Sequence, residues 1–184
     1  MSRNYKFYNP SGIYFISFAT VYWIDVFVRE DYCSLLTGNL DYCRKNKGMI
    51  LYAWPRCFGV SNHVHVIFRA ENENPDELIG GFKSYTSREL VRMISDNPEE
   101  SRKDWLLPLM ERAGNSKSNV KNRQFWQHGS HPIELWSTTV IQEKIDYIHR
   151  NPIEAGFVLN EVDCKYSSAR SYMDDSGVIE IDKL

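Results

Sequence analysis

Ser61-Asn62-His63-Val64-His65-Val66-Ile67-Phe68 (SNHVHVIF) is the stretch that decides the fold. Its β-branched and apolar residues read as a strand. Successive side chains of a strand face opposite sides, so His63 and His65 share one face while Val64, Val66 and Phe68 share the other. The apolar set anchors the strand to a core. The two imidazoles, about 7 Å apart by strand rise, make a chelate for a divalent metal ion on the opposite face. Taken alone, the pattern also fits one packed histidine and one surface histidine.

Upstream, Ile13 to Val21 is rich in β-formers and follows the breakers Pro10 and Gly12, which predicts a first strand. Apolar residues at helical spacing predict a helix from Asp25 or Arg29 to Arg44, closed by Gly48. Met49 to Phe58 alternates as a second strand, with Pro55 at an edge, end or bulge, and a short turn over 59–62 makes a hairpin with SNHVHVIF. Downstream, Pro75-Asp76-Glu77 opens a second helix through Ile94, and Glu99 to Arg112 reads as a further helical piece. Ala113 to Arg123 is a polar, basic loop. Phe125 to Gln127 is a short extended segment and Ile133 to Trp136 a last strand. Thr138 or Thr139 caps a helix through Ile141, Ile145 and Ile148 that stops near Pro152. The order β-α-β-β-α-linker-β-α is that of a ferredoxin-like (RRM-like) α+β sandwich. Its antiparallel sheet carries helices on one face and leaves the other to the histidines, with a late tyrosine-bearing helix added.

The chain of 184 residues fits a single domain, with a core of about 11–172 and a tail of 173–184. Its 42% hydrophobic and 25% charged residues exclude wholesale disorder. The net charge of −2 argues against a duplex binder that works by bulk positive charge, so a nucleic-acid site must be a local patch. The apolar run Gly12 to Val28 contains Asp25 and polar residues, so it is neither a leader peptide nor a membrane span. Cys33, Cys43, Cys57 and Cys164 form no CxxC pair and read as reduced thiols of a cytoplasmic protein.

The late helix carries a second group of site residues. Tyr147 and Asn151 are i and i+4, on one helix face, whereas His149 points elsewhere. A phenol and an amide oxygen stacked this way could meet an ion held by His63 and His65. The plainer reading is a core tyrosine followed by an Asn-Pro helix stop. Lys83, Arg88 and Arg92, with Lys117, Lys121 and Arg123 on the basic loop, are candidate phosphate contacts. Trp126 and Tyr85 are candidate base-stacking rings. His128 and His131 form an HxxH without cysteine or a nearby third ligand, which favours a local structural role.

The blocks SNHVHVIF, FWQHGSHPIELW, IDYIHRNPIEAGFV and KYSSARSYM together resemble the REP-associated tyrosine transposases, a branch of the single-tyrosine HUH transposases of bacterial insertion sequences. The resemblance runs from about Tyr14 to Tyr172. The chain differs at Val60-Ser61, where members usually carry Met-Pro. The resemblance implies that His63 and His65 are metal ligands, Tyr147 the catalytic nucleophile and Asn151 the third, neutral ligand. It further implies a Mg²⁺ or Mn²⁺ cofactor, single-stranded DNA with hairpin-forming repeats as substrate, and a monomer or homodimer as the working unit. The expected activity is nicking and joining through a 5′-phosphotyrosine, whose ester keeps the bond energy for resealing. Two other classes share the same residues: a domesticated hairpin DNA- or RNA-binding protein that does not cleave, and a metal-dependent phosphoesterase using water.

Overall fold

The computed structural model describes residues 6–54, 61–115 and 123–183. Along them run β1 (Tyr14–Ala19), α1 (Glu30–Asn46), β2 (Met49–Ala53), β3 (His63–Ala70), α2 (Pro75–Asp96), α3 (Lys103–Asn115), β4 (Ile133–Glu134), α4 (Thr138–Glu154) and α5 (Ala169–Met173). The strands pair antiparallel in the order β2-β3-β1-β4, the ferredoxin-like order. SNHVHVIF therefore lies second from the edge, paired with β1 from Tyr14–Phe68 to Ala19–His63.

Strand alternation sorts the sheet into two faces. Val64, Val66 and Phe68 join Tyr14, Ile16 and Phe18 of β1 in the larger core. Leu36 and Leu40 of α1, Phe82 and Leu90 of α2, and Leu106 and Met110 of α3 close over them. On the other face a smaller cluster forms around Phe15 and Ile67, covered by Ile141, Ile145 and Ile148 of α4. Those three isoleucines recur at i, i+4 and i+7, the stripe by which a helix packs on a sheet. So α4 shares the face of the histidines while α1 and α2 cover the opposite one.

Several boundaries differ from expectation for local reasons. Ser137, rather than Thr138 or Thr139, caps α4, its Oγ accepting from the Val140 N–H at 3.3 Å. The helix also runs past Pro152 to Glu154. Residues 179–182 are not a free tail. Ile179 and Ile181 are buried in the larger core, and Asp182 bonds the N–H and C=O of Leu51 at the open side of β2. That arrangement covers part of an edge strand which would otherwise offer unpaired backbone groups.

Cys33 and Cys43 are free and buried, but Cys164 is disulfide-bonded, which corrects the expectation that all the cysteines are reduced. Cys57, the Pro55 bulge and the hairpin turn before Ser61 lie outside the described residues, as do Lys117 and Lys121. Among the described residues no helix is long and apolar enough to cross a membrane.

Candidate active site

The histidine pair sits where β3 faces small residues of β1. His63 is opposite Ala19 and His65 opposite Ser17. The space this leaves lets the rings lean together, with centroids 4.8 Å apart, closer than the backbone repeat. His65 is almost fully buried and stacks on Phe15 at 5.2 Å, while its Nδ1 lies 2.6 Å from Ser17 Oγ. The His65 Nε2 is buried and has no hydrogen-bond partner among the described residues.

His63 is half-buried, and its Nδ1 is 2.8 Å from Asn62 Oδ1. The Asn62 amide donates its Nδ2 hydrogens to Trp23 O and Asp25 Oδ1, so its oxygen faces the ring and accepts from Nδ1–H. That fixes the tautomer whose lone pair is on Nε2 and leaves that nitrogen available to a metal. Burial pulls the basicity of both rings down, His65 to a pKa of about 3, helped by the charges of His63 and Lys144. Two neutral imidazoles, one with an orphaned buried nitrogen and one with its tautomer set from behind, fit a divalent ion. Among the described residues no group of three His, Cys, Asp or Glu side chains is placed to hold a metal ion.

The late helix brings the phenol to this pair. The Tyr147 ring is 5.6 Å from the His65 ring and 6.2 Å from Phe15, and it remains 38% exposed. Its position is held from two sides. The isoleucine stripe packs on Phe15 and Ile67, and His149, turned away from the histidine pair, places Nε2 2.8 Å from Ser168 Oγ. Ser168 in turn bonds both backbone groups of Trp54, tying α4 to the end of β2. Burial holds His149 near pKa 4, so it acts as a neutral anchor. Asn151, one turn beyond Tyr147, is half-buried and its amide has no hydrogen-bond partner among the described residues.

Other candidates separate. Lys83 gives its ammonium hydrogens to Gln127 O, Gly129 O and Ser130 Oγ at 3.0–3.4 Å, and burial lowers its pKa to about 8. It clamps the loop after Trp126 and has little left to give a phosphate. Arg88 and Arg92 pair with Glu89 on α2, the helix over the opposite sheet face. Arg123 is half-buried at the end of the linker. Trp126 is only 5% exposed, bridged to Thr20 and donating Nε1–H to Thr86 Oγ1, so no base can stack on it. Tyr85 stays exposed on α2 beneath the Arg88 cation.

Two residues near the pair carry no sequence motif. The Lys144 ammonium lies 5.2 Å from the Phe15 ring and 5.4 Å from the Tyr147 ring, the only hint being its i−3 spacing from Tyr147. Trp23 stands edge-on to His63 at 5.9 Å. His128 and His131 line a cleft with His63, a placement their spacing did not indicate.

The chain is similar to a solved REP-associated tyrosine transposase bound to a REP hairpin. The two superpose with a TM-score of 0.64 over 100% of this chain and 95% of that one, at 15% sequence identity. The likeness establishes a shared fold. No family model and no curated protein sequence matches the chain.

Proposed function

We propose that this protein nicks and rejoins single-stranded DNA at hairpin-flanked sites, with Tyr147 as nucleophile and His63, His65 and Asn151 as ligands of a Mg²⁺ or Mn²⁺ ion. The observation that carries the reading is the convergence of two neutral imidazoles and an exposed phenol on one patch. Each comes from a rigid element rather than a loop. The fold shared with a transposase seen bound to a REP hairpin supports it.

A phosphodiester is shielded by its own negative charge, so attack needs a cation at the non-bridging oxygens and an in-line nucleophile. When bound, the divalent ion supplies that charge. The chain contributes the rest. Asn62 and Ser17 hold the imidazoles, α4 presents the phenol, and Lys144 adds a fixed positive charge beside it. The Tyr147 oxygen forms a bond to phosphorus, its proton leaves to water, and the bond from phosphorus to the 3′ oxygen breaks. That oxygen takes up a proton from water and departs as a 3′-hydroxyl, and the 5′-phosphate stays on the tyrosine. Reversal with another 3′-hydroxyl joins strands without an external energy source. Tyr147 meets the His65 of its own chain, which supports attack within one chain.

The experiment is incubation with labelled hairpin oligonucleotides bearing unpaired flanks, with Mn²⁺, followed by a denaturing gel. Wild type forms a covalent adduct, and Tyr147→Phe and His63→Ala do not. Cleavage without an adduct, surviving in Tyr147→Phe, would establish a water-using phosphoesterase. Binding without cleavage would establish a DNA-binding relative.

A further inference from the structure

Thr20 to Asp25 makes an abrupt turn beside the histidine pair, and its backbone is unusual. Tyr22 and Trp23 both have φ of 55°, the left-handed region that bulky side chains disfavour. Strain of this kind persists only where neighbouring bonds impose it. Here Thr20 Oγ1 donates to Ile24 O at 2.8 Å and Asn62 Nδ2 donates to Trp23 O at 3.2 Å. The strain is not repaid by burial, because the Trp23 indole is 59% exposed. What the turn achieves is placement: it sets a bare aromatic face next to His63. Trp136, more exposed still, shows no ring contact with a histidine among the described residues.

Across from Trp23 stands the Gln127–His131 loop. Its carbonyls are tied down by Lys83, and Gly129 turns it with φ of 85°. Between the two lies a cleft of about 210 Å³, with Ser17 and Ala19 beneath and His63, Gln127 and His128 at its sides. This is smaller than the roughly 300 Å³ at which clefts for drug-sized ligands begin. It suits one flat ring system.

We propose that this cleft seats one unpaired nucleobase of the DNA strand, stacked on the Trp23 indole, at the nucleotide beside the phosphate to be cut. The proposal rests on the reading of the site as one that acts on single-stranded DNA, and it adds the residue that positions that strand. Every base offers a π face, so an indole holds an unpaired nucleotide without demanding its identity. The stack lies against His63, so seating the base brings its phosphate to the histidines. Asn62 then links the two tasks, holding the Trp23 carbonyl with one end of its amide and the His63 tautomer with the other.

The test measures binding of the full chain to a fluorescent hairpin with an unpaired flank, by anisotropy in EDTA, so that no cleavage intervenes. Trp23→Ala weakens binding about tenfold or more, in the range measured for single base–aromatic stacks, and Trp23→Phe stays within about threefold. Each unpaired nucleotide is also replaced in turn by an abasic residue. One position weakens wild type as much as Trp23→Ala does, and the same replacement is silent in Trp23→Ala, because both remove one contact. Unchanged binding by Trp23→Ala, losses that multiply, or no affinity of wild type for any unpaired strand overturns the proposal. A Tyr147 adduct that forms normally while Trp23→Ala binds normally removes this inference and leaves the nicking reading. Base-dependent binding without an adduct does the reverse.

Discussion

The two faces of the sheet are built from alternate residues of the same strands, yet they have different characters. One face, with Tyr14, Ile16, Phe18, Val64, Val66 and Phe68, is apolar throughout and sealed by α1, α2 and α3. The other is apolar only where α4 sits on Phe15 and Ile67. Towards His63 and Ser17 it opens into a cleft of mixed polar and apolar lining. A packed core disfavours voids and unpaired polar groups, whereas a working site needs both space and a nitrogen left without a protein partner. Trp54 Nε1 is an exception within the core, without a hydrogen-bond partner among the described residues. Dividing the faces lets one sheet satisfy both demands. It also predicts that substitutions on the closed face are read in stability and those on the open face in chemistry.

The largest stability effect belongs to the closed face. Phe68→Ala, at a fully buried ring, lowers unfolding free energy by about 3–5 kcal/mol, measured by urea denaturation. Next comes the polar clasp at its rim. Glu100 has no exposed side-chain surface and is bonded by Arg102, Arg29 and Tyr32, with the Arg102 hydrogen bonds chief in holding its pKa near 2. Because both arginines are partly exposed, Glu100→Ala costs about 2–3 kcal/mol rather than the full penalty of a broken buried pair.

A smaller effect, graded with pH, comes from the anchor of α4. Burial lowers the folded pKa of His149 from 6.5 to about 4, so between those values the unfolded chain takes up a proton that the folded chain refuses. Its stabilising contribution is complete above pH 6.5 and is lost as the pH falls towards 4, with a slope approaching 1.4 kcal/mol per unit. Metal-free His65 behaves alike, down to about pH 3. Denaturation curves at pH 7, 6, 5 and 4.5 show the decline, and His149→Gln reduces its slope, leaving the share of His65. The smallest stability change is on the open face. Tyr147→Phe removes a hydroxyl with no hydrogen-bond partner among the described residues and shifts stability by less than about 0.5 kcal/mol. Adduct formation is nevertheless abolished.

Which of these features could be read from the chain follows from how local each is. The period-two alternation of SNHVHVIF is a property of eight neighbouring residues, and the structure realises it face by face. The isoleucine stripe of α4 is equally local. Trp126 misleads because an extended FWQ segment looks like an exposed platform until its pairing with Thr20 and its bond to Thr86 are known. Lys83 occupies the wet side of an isolated helix, but a loop more than forty residues later lands on it. The Tyr22–Trp23 turn had no signal at all. Left-handed backbone usually announces itself with Gly or Asn, and here long-range bonds from Asn62 impose it on aromatic residues. Ring-to-ring convergence of Tyr147 with His65 is a tertiary fact that spacing alone could frame only as a possibility.

The central claim is that the twin histidines and the phenol serve one transesterification. Protease digestion and mass spectrometry of the chain after reaction with hairpin DNA and Mn²⁺ test it most directly. The account predicts a single nucleotide-bearing peptide with the phosphate on Tyr147, absent when His65 is replaced by Ala. A phosphate carried by any other residue, or an adduct that forms equally well without His65, contradicts it.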